Sequence, residues 1–221
     1  MTIALPSQNV AVSGTDRVRA LLRCGQVAGP VYLIAGYAQA LTRDGFSLKR
    51  HPFSFLSLGD LGWIQVLNFV LSGVLFIAGA IGANRALRTG RGRTWGPLLI
   101  GGMGVGMIAG GVFRADPAFG FPAGAPAGAP DVVSWHGMLH GVAFGVAILC
   151  WVGSCVVFAA RFAQQRRRGW AALCAATALV LVAPMPLLGS EWGTVALYVV
   201  ATLGWLWTTA VLTRVNADRS E

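Results

Sequence analysis

Two histidines four residues apart carry the strongest chemical signal in the chain. His136 and His140 form an HxxxH pair, and this spacing places both side chains on one face of a helix, about one turn apart. Imidazole is a common metal ligand, so the pair predicts a zinc site. Two histidines leave a tetrahedral zinc site incomplete, and we expect further ligands from Asp116, His51 or Glu191. The alternative is that both rings hydrogen-bond to carbonyls or water near the membrane surface.

Asp116 and the segment around His51 offer acid and base groups. Asp116 precedes Pro117, a pair that favours a turn at a helix end. Its carboxylate is a candidate ligand or general base, and the alternative is a helix cap or an ion pair with Arg114. In the segment that contains His51 and Ser54, apolar residues alternate with polar ones. We therefore expect this segment to fold back against the protein, with both side chains in one pocket, although no glycine-rich nucleophile turn surrounds the serine.

Three further side chains complete the candidate site. Gln65 and Asn68 are three residues apart and share a helical face, which suits them to bind a ligand or a neighbouring helix. The residues therefore divide into three groups by predicted role. The candidate catalytic residues are Asp116, His51 and Ser54; the candidate metal ligands are His136 and His140; the candidate substrate-binding residues are Gln65, Asn68 and Trp135.

The composition indicates that lipid is the solvent for most of the chain. Of 221 residues, 55% are hydrophobic and 11% are charged, whereas soluble domains carry about 25% charged residues. The net charge of +9 would suggest nucleic acid in a soluble protein. Here the arginines cluster in short segments between apolar runs, which favours anionic lipid headgroups. No basic stripe with interleaved aromatic residues is present, so we do not expect a nucleic-acid partner.

Six apolar stretches are long enough to cross a bilayer, which takes about 20 residues. The sequence thus predicts an all-α, polytopic membrane bundle of six transmembrane helices, with residues 1–23 as an N-terminal segment, 24–213 as the membrane domain and 214–221 as a tail. The predicted spans are Cys24–Leu41, Leu61–Ala83, Trp95–Phe113, Val132–Ala160, Trp170–Gly189 and Glu191–Thr213.

The basic residues predict the orientation of these spans in the cell membrane. On one side of the predicted bundle lie thirteen Lys and Arg residues, and on the other side four. Because basic residues are retained in the cytoplasm, we expect both termini there. All three histidines then fall on the opposite side. We expect His51, Asp116, His136 and His140 to converge in one cavity beneath the outer membrane surface.

Glycine and proline predict local packing. The third span carries glycines at four-residue spacing, and the fourth has three more at the same spacing, Gly137, Gly141 and Gly145. Small residues in this pattern let helices approach closely, so we expect these two helices side by side. We expect Pro184 and Pro186 to kink the fifth helix before a tight turn at Gly189.

Three ordered motifs resemble a known family. They read RHPFSFLSLGDLGWIQVLNF, VFRADPAFGFPAGAP and SWHGMLH, and the resemblance covers nearly all of the chain after about residue 20. They are similar to bacterial six-helix membrane proteins catalogued as domain of unknown function number 998, a name that implies no established reaction. The positions that match its motifs are His51, Ser54, Asp116, His136 and His140. The residue types, but not the helix count or the place of HxxxH, are also similar to those of the seven-helix, zinc-dependent alkaline ceramidase superfamily.

Two classes of function remain open from the sequence. One is a membrane-embedded enzyme, either a metal-dependent hydrolase or an acid/base isomerase or cyclase, that acts on a lipid or terpenoid-like substrate. The other is a non-catalytic membrane protein that binds a lipid or small molecule or accompanies a partner. Both predict membrane lipids and an apolar small molecule as partners, and only the metal-dependent enzyme predicts zinc.

Overall fold

A computed structural model describes residues 14–187 and 190–219, without the side chain of Glu191. Within those residues the chain is all-α, as predicted. Two short 3₁₀ turns accompany the helices, at Phe53–Ser57 and Met185–Leu187. The six helices are α1 (Gly14–Thr42), α2 (Gly62–Ala86), α3 (Trp95–Val112), α4 (Trp135–Gln164), α5 (Arg168–Val182) and α6 (Glu191–Asp218).

The helices form a ring in chain order. Each of α1 to α4 packs along the next helix, and α6 returns to pack against α1. The joint between α5 and α6 is much looser than the others. Helices α4 and α6 meet mainly through side chains, because the indole of Trp151 lies against Gly204 and its Nε1 donates to Thr208 Oγ1 at 3.0 Å.

The two ends of the bundle differ in chemistry. At one end, residues 43–61 and 113–134 fold over the helices, and we call this the capped end. The opposite end is the basic end, where Arg219 bonds to the carbonyl of Thr15 and Arg161 bonds to the carbonyl of Thr89. It carries thirteen basic residues, which are Arg17, Arg19, Arg23, Arg85, Arg88, Arg91, Arg93, Arg161, Arg166, Arg167, Arg168, Arg214 and Arg219.

The outer surface identifies a membrane protein. Of the described helices, α2, α3, α4, α5 with its 3₁₀ turn, and α6 are each long and apolar enough to span a bilayer. Large apolar side chains such as Ile34, Leu149 and Leu179 are exposed on the outer faces, where soluble monomers rarely show extended apolar surface. Exposed tryptophans lie near both ends, as at Trp63 and Trp95, which is the position of the aromatic belts of membrane proteins.

Helix α1 is more polar than the other five, and the bundle compensates its polar groups. Pro30 has no amide hydrogen, so the carbonyl of Gln26 lacks its helical partner. Thr209 of α6 donates to that carbonyl at 2.8 Å. On its other side α1 meets α2 so closely that a Cβ at Gly79 would lie 2.6 Å from the Cα of Gly25. Lipid cannot replace such polar contacts, so α1 packs as a part of the bundle, between α2 and α6.

The glycine prediction is confirmed for α3 and wrong for α4. The two helices do lie side by side, and a Cβ at Gly106 would lie 2.9 Å from the Cβ of Ala147 and 3.0 Å from the carbonyl oxygen of Ala143. At Gly141 and Gly145 nothing lies within 4 Å of an added Cβ. The facing surface of α4 therefore uses alanine, and its glycines point elsewhere.

Two helix boundaries differ most from the predicted spans. Helix α1 begins at Gly14, well before the predicted start at Cys24. Packing against neighbouring helices stabilises a helix even where its residues are polar. Helix α5 ends at Val182, so Pro184 terminates it instead of kinking it. The predicted turn residue Gly189 lies outside the described residues.

Candidate functional site

The segment between α1 and α2 folds back onto the bundle, as predicted. Its 3₁₀ turn buries Phe53, Phe55 and Leu56. His51 is only 1% exposed, and its ring lies within aromatic contact distance of three phenylalanines. These are Phe46, Phe55 and Phe121, with ring centroids 5.3, 6.0 and 5.4 Å away.

Both ring nitrogens of His51 are engaged. Nδ1 accepts from the backbone N–H of Ser47 at 2.9 Å, so the neutral ring carries its proton on Nε2, which donates to the carbonyl of Phe119 at 3.0 Å. Burial lowers the pKa of His51, and nearby Arg50 lowers it further, while the bond to Phe119 opposes them. The hydroxyl of Tyr198 donates to the His51 carbonyl. His51 thus joins both loops of the capped end to α6.

Asp116 caps the beginning of α4. Its Oδ2 accepts from the N–H of Ser134 at 2.9 Å, and its Oδ1 accepts from the Ser134 hydroxyl at 2.5 Å. That hydroxyl oxygen in turn accepts from the N–H of Gly137 at 3.0 Å, as an N-cap residue does. A Cβ at Gly137 would overlap the carboxylate, so glycine is required for this approach. This geometry matches the alternative prediction for Asp116, that its carboxylate caps a helix.

A shallow recess of about 350 Å³ lies on the capped end, between the two loops. Asp116, Arg114 and His136 line it, together with residues of the first loop. His136 is exposed, and its ring packs on that of Trp135 with centroids 3.7 Å apart. These side chains therefore lie at the surface of the protein.

His140 lies one turn deeper and has different partners. Its Nδ1 lies 3.0 Å from the carbonyl oxygen of Gly110 and 2.8 Å from that of Phe113. Carbonyls only accept, so Nδ1 carries the proton and donates to carbonyls that the end of α3 leaves unpaired. In the neutral ring Nε2 then holds a lone pair, and it has no hydrogen-bond partner among residues 14–187 and 190–219. An imidazole fixed in this way suits binding or proton transfer.

An apolar cavity of about 130 Å³ lies inside the bundle and includes His140 in its wall. The wall residues from α1 to α3, such as Tyr32 and Met103, are buried. Those from α4 and α6 are mixed: Trp151, Tyr198 and Trp205 are buried, whereas Phe144 is 37% exposed and Ala147 and Ala201 are half-buried. The cavity wall is therefore least buried at residues of α4 and α6. The other lining residues include Pro52, Phe53, Ser54, Phe69, Gly106, Met107, Gly110, Ile148, Trp151, Leu197, Tyr198 and Trp205.

Few polar groups of the cavity wall are free. No Asp, Glu, Lys or Arg is among the described lining residues. The hydroxyl of Tyr198 and the indole N–H of Trp151 are paired with His51 and α6. The indole N–H of Trp205 is buried and has no partner among the described residues. That N–H has almost no accessible surface, so the polar groups available to an occupant among the described lining residues are Nε2 of His140 and the Ser54 hydroxyl.

Gln65 and Asn68 line neither the recess nor the cavity. Gln65 Oε1 accepts from Gln39 of α1 at 2.8 Å, and Asn68 Nδ2 donates to the carbonyl of Tyr32 at 3.1 Å. Both residues are buried. They connect α2 to α1, as expected from the alternative prediction that this pair binds a neighbouring helix.

The predicted site residues thus do not share one site. His140 and Ser54 line the cavity, Asp116 and His136 line the recess, and His51 lines neither. Among the described residues no group of three His, Cys, Asp or Glu side chains lies close enough to hold a metal ion. The side chain of Glu191, the remaining candidate ligand, lies outside the described part of the chain.

The residue types alone did not indicate the aromatic side chains that line the cavity. Tyr198 and Trp205 both line the cavity, and their seven-residue separation places them on one face of α6, about two turns apart. Phe144 stands in the same relation to Trp151 on α4. This paired spacing of aromatic residues is the signal that could have identified the wall.

The fold and the cavity define a polytopic α-helical membrane protein with an internal apolar cavity. A family model described as protein of unknown function DUF998 matches residues 26–214, and the chain belongs to that family, as the motifs indicated. Neither the curated proteins nor the solved structures contain a match to this chain.

Proposed function

We propose that this protein binds an apolar small molecule that enters sideways from the bilayer, between α4 and α6. The single observation that carries the proposal is the cavity, whose lining residues are buried on α1 to α3 and partly exposed on α4 and α6. Ligand sites are typically apolar cavities with a few placed polar groups. This proposal corresponds to the second class of function predicted from the sequence, a non-catalytic protein that binds a lipid or small molecule.

The wall chemistry supports a lipid-like occupant. Aromatic rings of Phe69, Phe144 and Trp151 and the thioether of Met103 surround the space. Atoms that line an empty space forgo dispersion contacts, which an apolar chain would restore. Because the opening faces acyl chains, such a molecule could enter without crossing water.

Photolabelling tests this proposal. The full-length protein in phosphatidylcholine nanodiscs is irradiated with a palmityl alcohol that carries a diazirine, and labelled peptides are identified by mass spectrometry. Label on Phe144, Ala147 or Leu197, reduced severalfold in Ala201→Phe, is the expected result, since Ala201 lies in the wall. The matched control is Ala176→Phe, at an exposed position of α5 outside the cavity. Label spread evenly over lipid-facing residues, with no effect of Ala201→Phe, contradicts the proposal.

A catalytic role is the second candidate, and His140 is the observation that favours it. Its Nδ1 is held by α3 while Nε2 is free among the described residues, an arrangement suited to proton transfer in an isomerase or cyclase, or to a metal ligand in a hydrolase. A lipid or terpenoid-like substrate would occupy the same cavity. Conversion of an added isoprenoid by wild-type protein, lost in His140→Asn, is the expected result. Unchanged isoprenoid after prolonged incubation would count against catalysis.

We also propose that all six helices span the cell membrane, with the basic end in the cytoplasm. The unequal distribution of Lys and Arg supports this orientation, and the polar bonds between α1 and α6 support a membrane position for α1. In intact cells, Ala127→Cys at the capped end should react with an impermeant maleimide, while Thr89→Cys at the basic end should react only after lysis. The reverse pattern would invert the topology.

A further inference from the structure

We infer that the occupant of the cavity is a neutral, single-chain alcohol, held with its hydroxyl group between Ser54 and His140 and its chain directed toward Trp205. The inference rests on the proposed binding function and specifies the ligand class. It follows from the charge of the wall, from the hydrogen-bonding groups that remain free, and from the size of the space.

The wall excludes a charged head group. Among the described lining residues there is no Asp, Glu, Lys or Arg that could pair with a charge. A carboxylate, phosphate or ammonium placed there would be buried without an opposite charge, which is unfavourable. A fatty acid or a phospholipid head therefore fits poorly.

The free groups at the capped end of the cavity select a hydroxyl. Nε2 of the neutral His140 ring can only accept a hydrogen bond, so its partner must be a donor. A neutral amphiphile supplies that donor through an O–H group. The Ser54 hydroxyl lies in the same wall and can donate to the oxygen of the same group, so the hydroxyl would be paired both as donor and as acceptor.

The remaining space accepts one chain. About 130 Å³ between aromatic walls suits one chain, and its surplus length can leave between α4 and α6. The unpaired indole N–H of Trp205 lies farther along α6 than Tyr198, which marks the capped end.

Competition against the photolabel tests the ligand class. Palmityl alcohol, palmitic acid and hexadecane are compared as competitors for the diazirine alcohol in nanodiscs at neutral pH. The alcohol should compete about tenfold better than hexadecane, since one to two hydrogen bonds separate them, and better than the ionised acid. Equal competition by all three, or preference for the acid, overturns the inference while leaving apolar binding intact. If the diazirine alcohol labels no cavity residue specifically, whichever competitor is present, the result instead contradicts the proposed function.

Two variants locate the hydroxyl. In His140→Asn the amide nitrogen can keep the bond to the end of α3 while Nε2 is lost, and in Ser54→Ala one hydroxyl is lost. Each should weaken competition by the alcohol about fivefold and leave that by hexadecane unchanged. Ser154→Ala is the matched control, because Ser154 donates to the Trp151 carbonyl and is not among the described residues that line the cavity. An unchanged alcohol preference in both variants, with wild-type thermal unfolding, refutes the assigned contacts.

Discussion

Replacing Asp116 by alanine should destabilise the protein through the start of α4. The carboxylate accepts two hydrogen bonds from Ser134, one from its N–H and one from its hydroxyl. Hydrogen bonds to a charged group contribute about 1.5–3 kcal/mol each, and partial exposure of Asp116 lowers the sum. We expect a loss of about 2 kcal/mol, because Ser134 keeps its own bond to Gly137.

Differential scanning fluorimetry of the full chain in dodecyl maltoside measures this effect. A loss of about 2 kcal/mol corresponds to a decrease in Tm of roughly 4–8 °C for a chain of this size. Asp116→Asn keeps an oxygen that can accept from the Ser134 N–H, so its Tm should fall by less than half as much. Asp131→Ala in the same loop is the control, because Asp131 is exposed and surface changes alter stability little.

The same variants separate a capping role from a catalytic one. If Asp116→Ala unfolds with the wild-type Tm but abolishes photolabelling or any isoprenoid conversion, the carboxylate acts on the ligand and the capping assignment is refuted. If Tm decreases and labelling measured well below Tm is unchanged, the residue supports α4 only.

Three further outcomes are expected. Gly79→Val should reduce the yield of folded protein strongly, since a Cβ at this position would lie 2.6 Å from the α1 backbone. Gly141→Ala should change Tm by less than about 2 °C, because nothing lies within 4 Å of a Cβ added there. Because the pKa of His51 is lowered in the fold, the folded state binds fewer protons than the unfolded state. The free energy of unfolding should therefore fall as the pH drops below about 6.5. His51→Asn should flatten this pH dependence, and His136→Asn should retain it. The sequence predicts zinc at His136 and His140, so stoichiometric zinc that either alanine variant removes is the result expected from that prediction, and zinc-free wild-type protein contradicts it.

The candidate site shows where sequence reasoning reached its limit. His136 and His140 are four residues apart on one helix, and spacing alone places them together. In the fold, α3 ends beside His140, so that ring meets the carbonyls of Gly110 and Phe113, while His136 lies one turn beyond and is exposed. Backbone carbonyls at a helix end have no signature in the residue types, so this separation could not be predicted.

The sequence by itself determined that this is an all-α membrane protein and that its polar motifs gather at one end. It predicted six spans, and five of the described helices are long and apolar enough to cross a bilayer. These properties follow from hydropathy and from the placement of arginine, which each segment carries independently of its neighbours. The tertiary structure alone decided that a cavity exists and which residues line it. The cavity depends on the distance between α4 and α6, which meet through side chains such as Trp151 on Gly204, and a space between helices far apart in sequence is a property of their packing that no single segment contains.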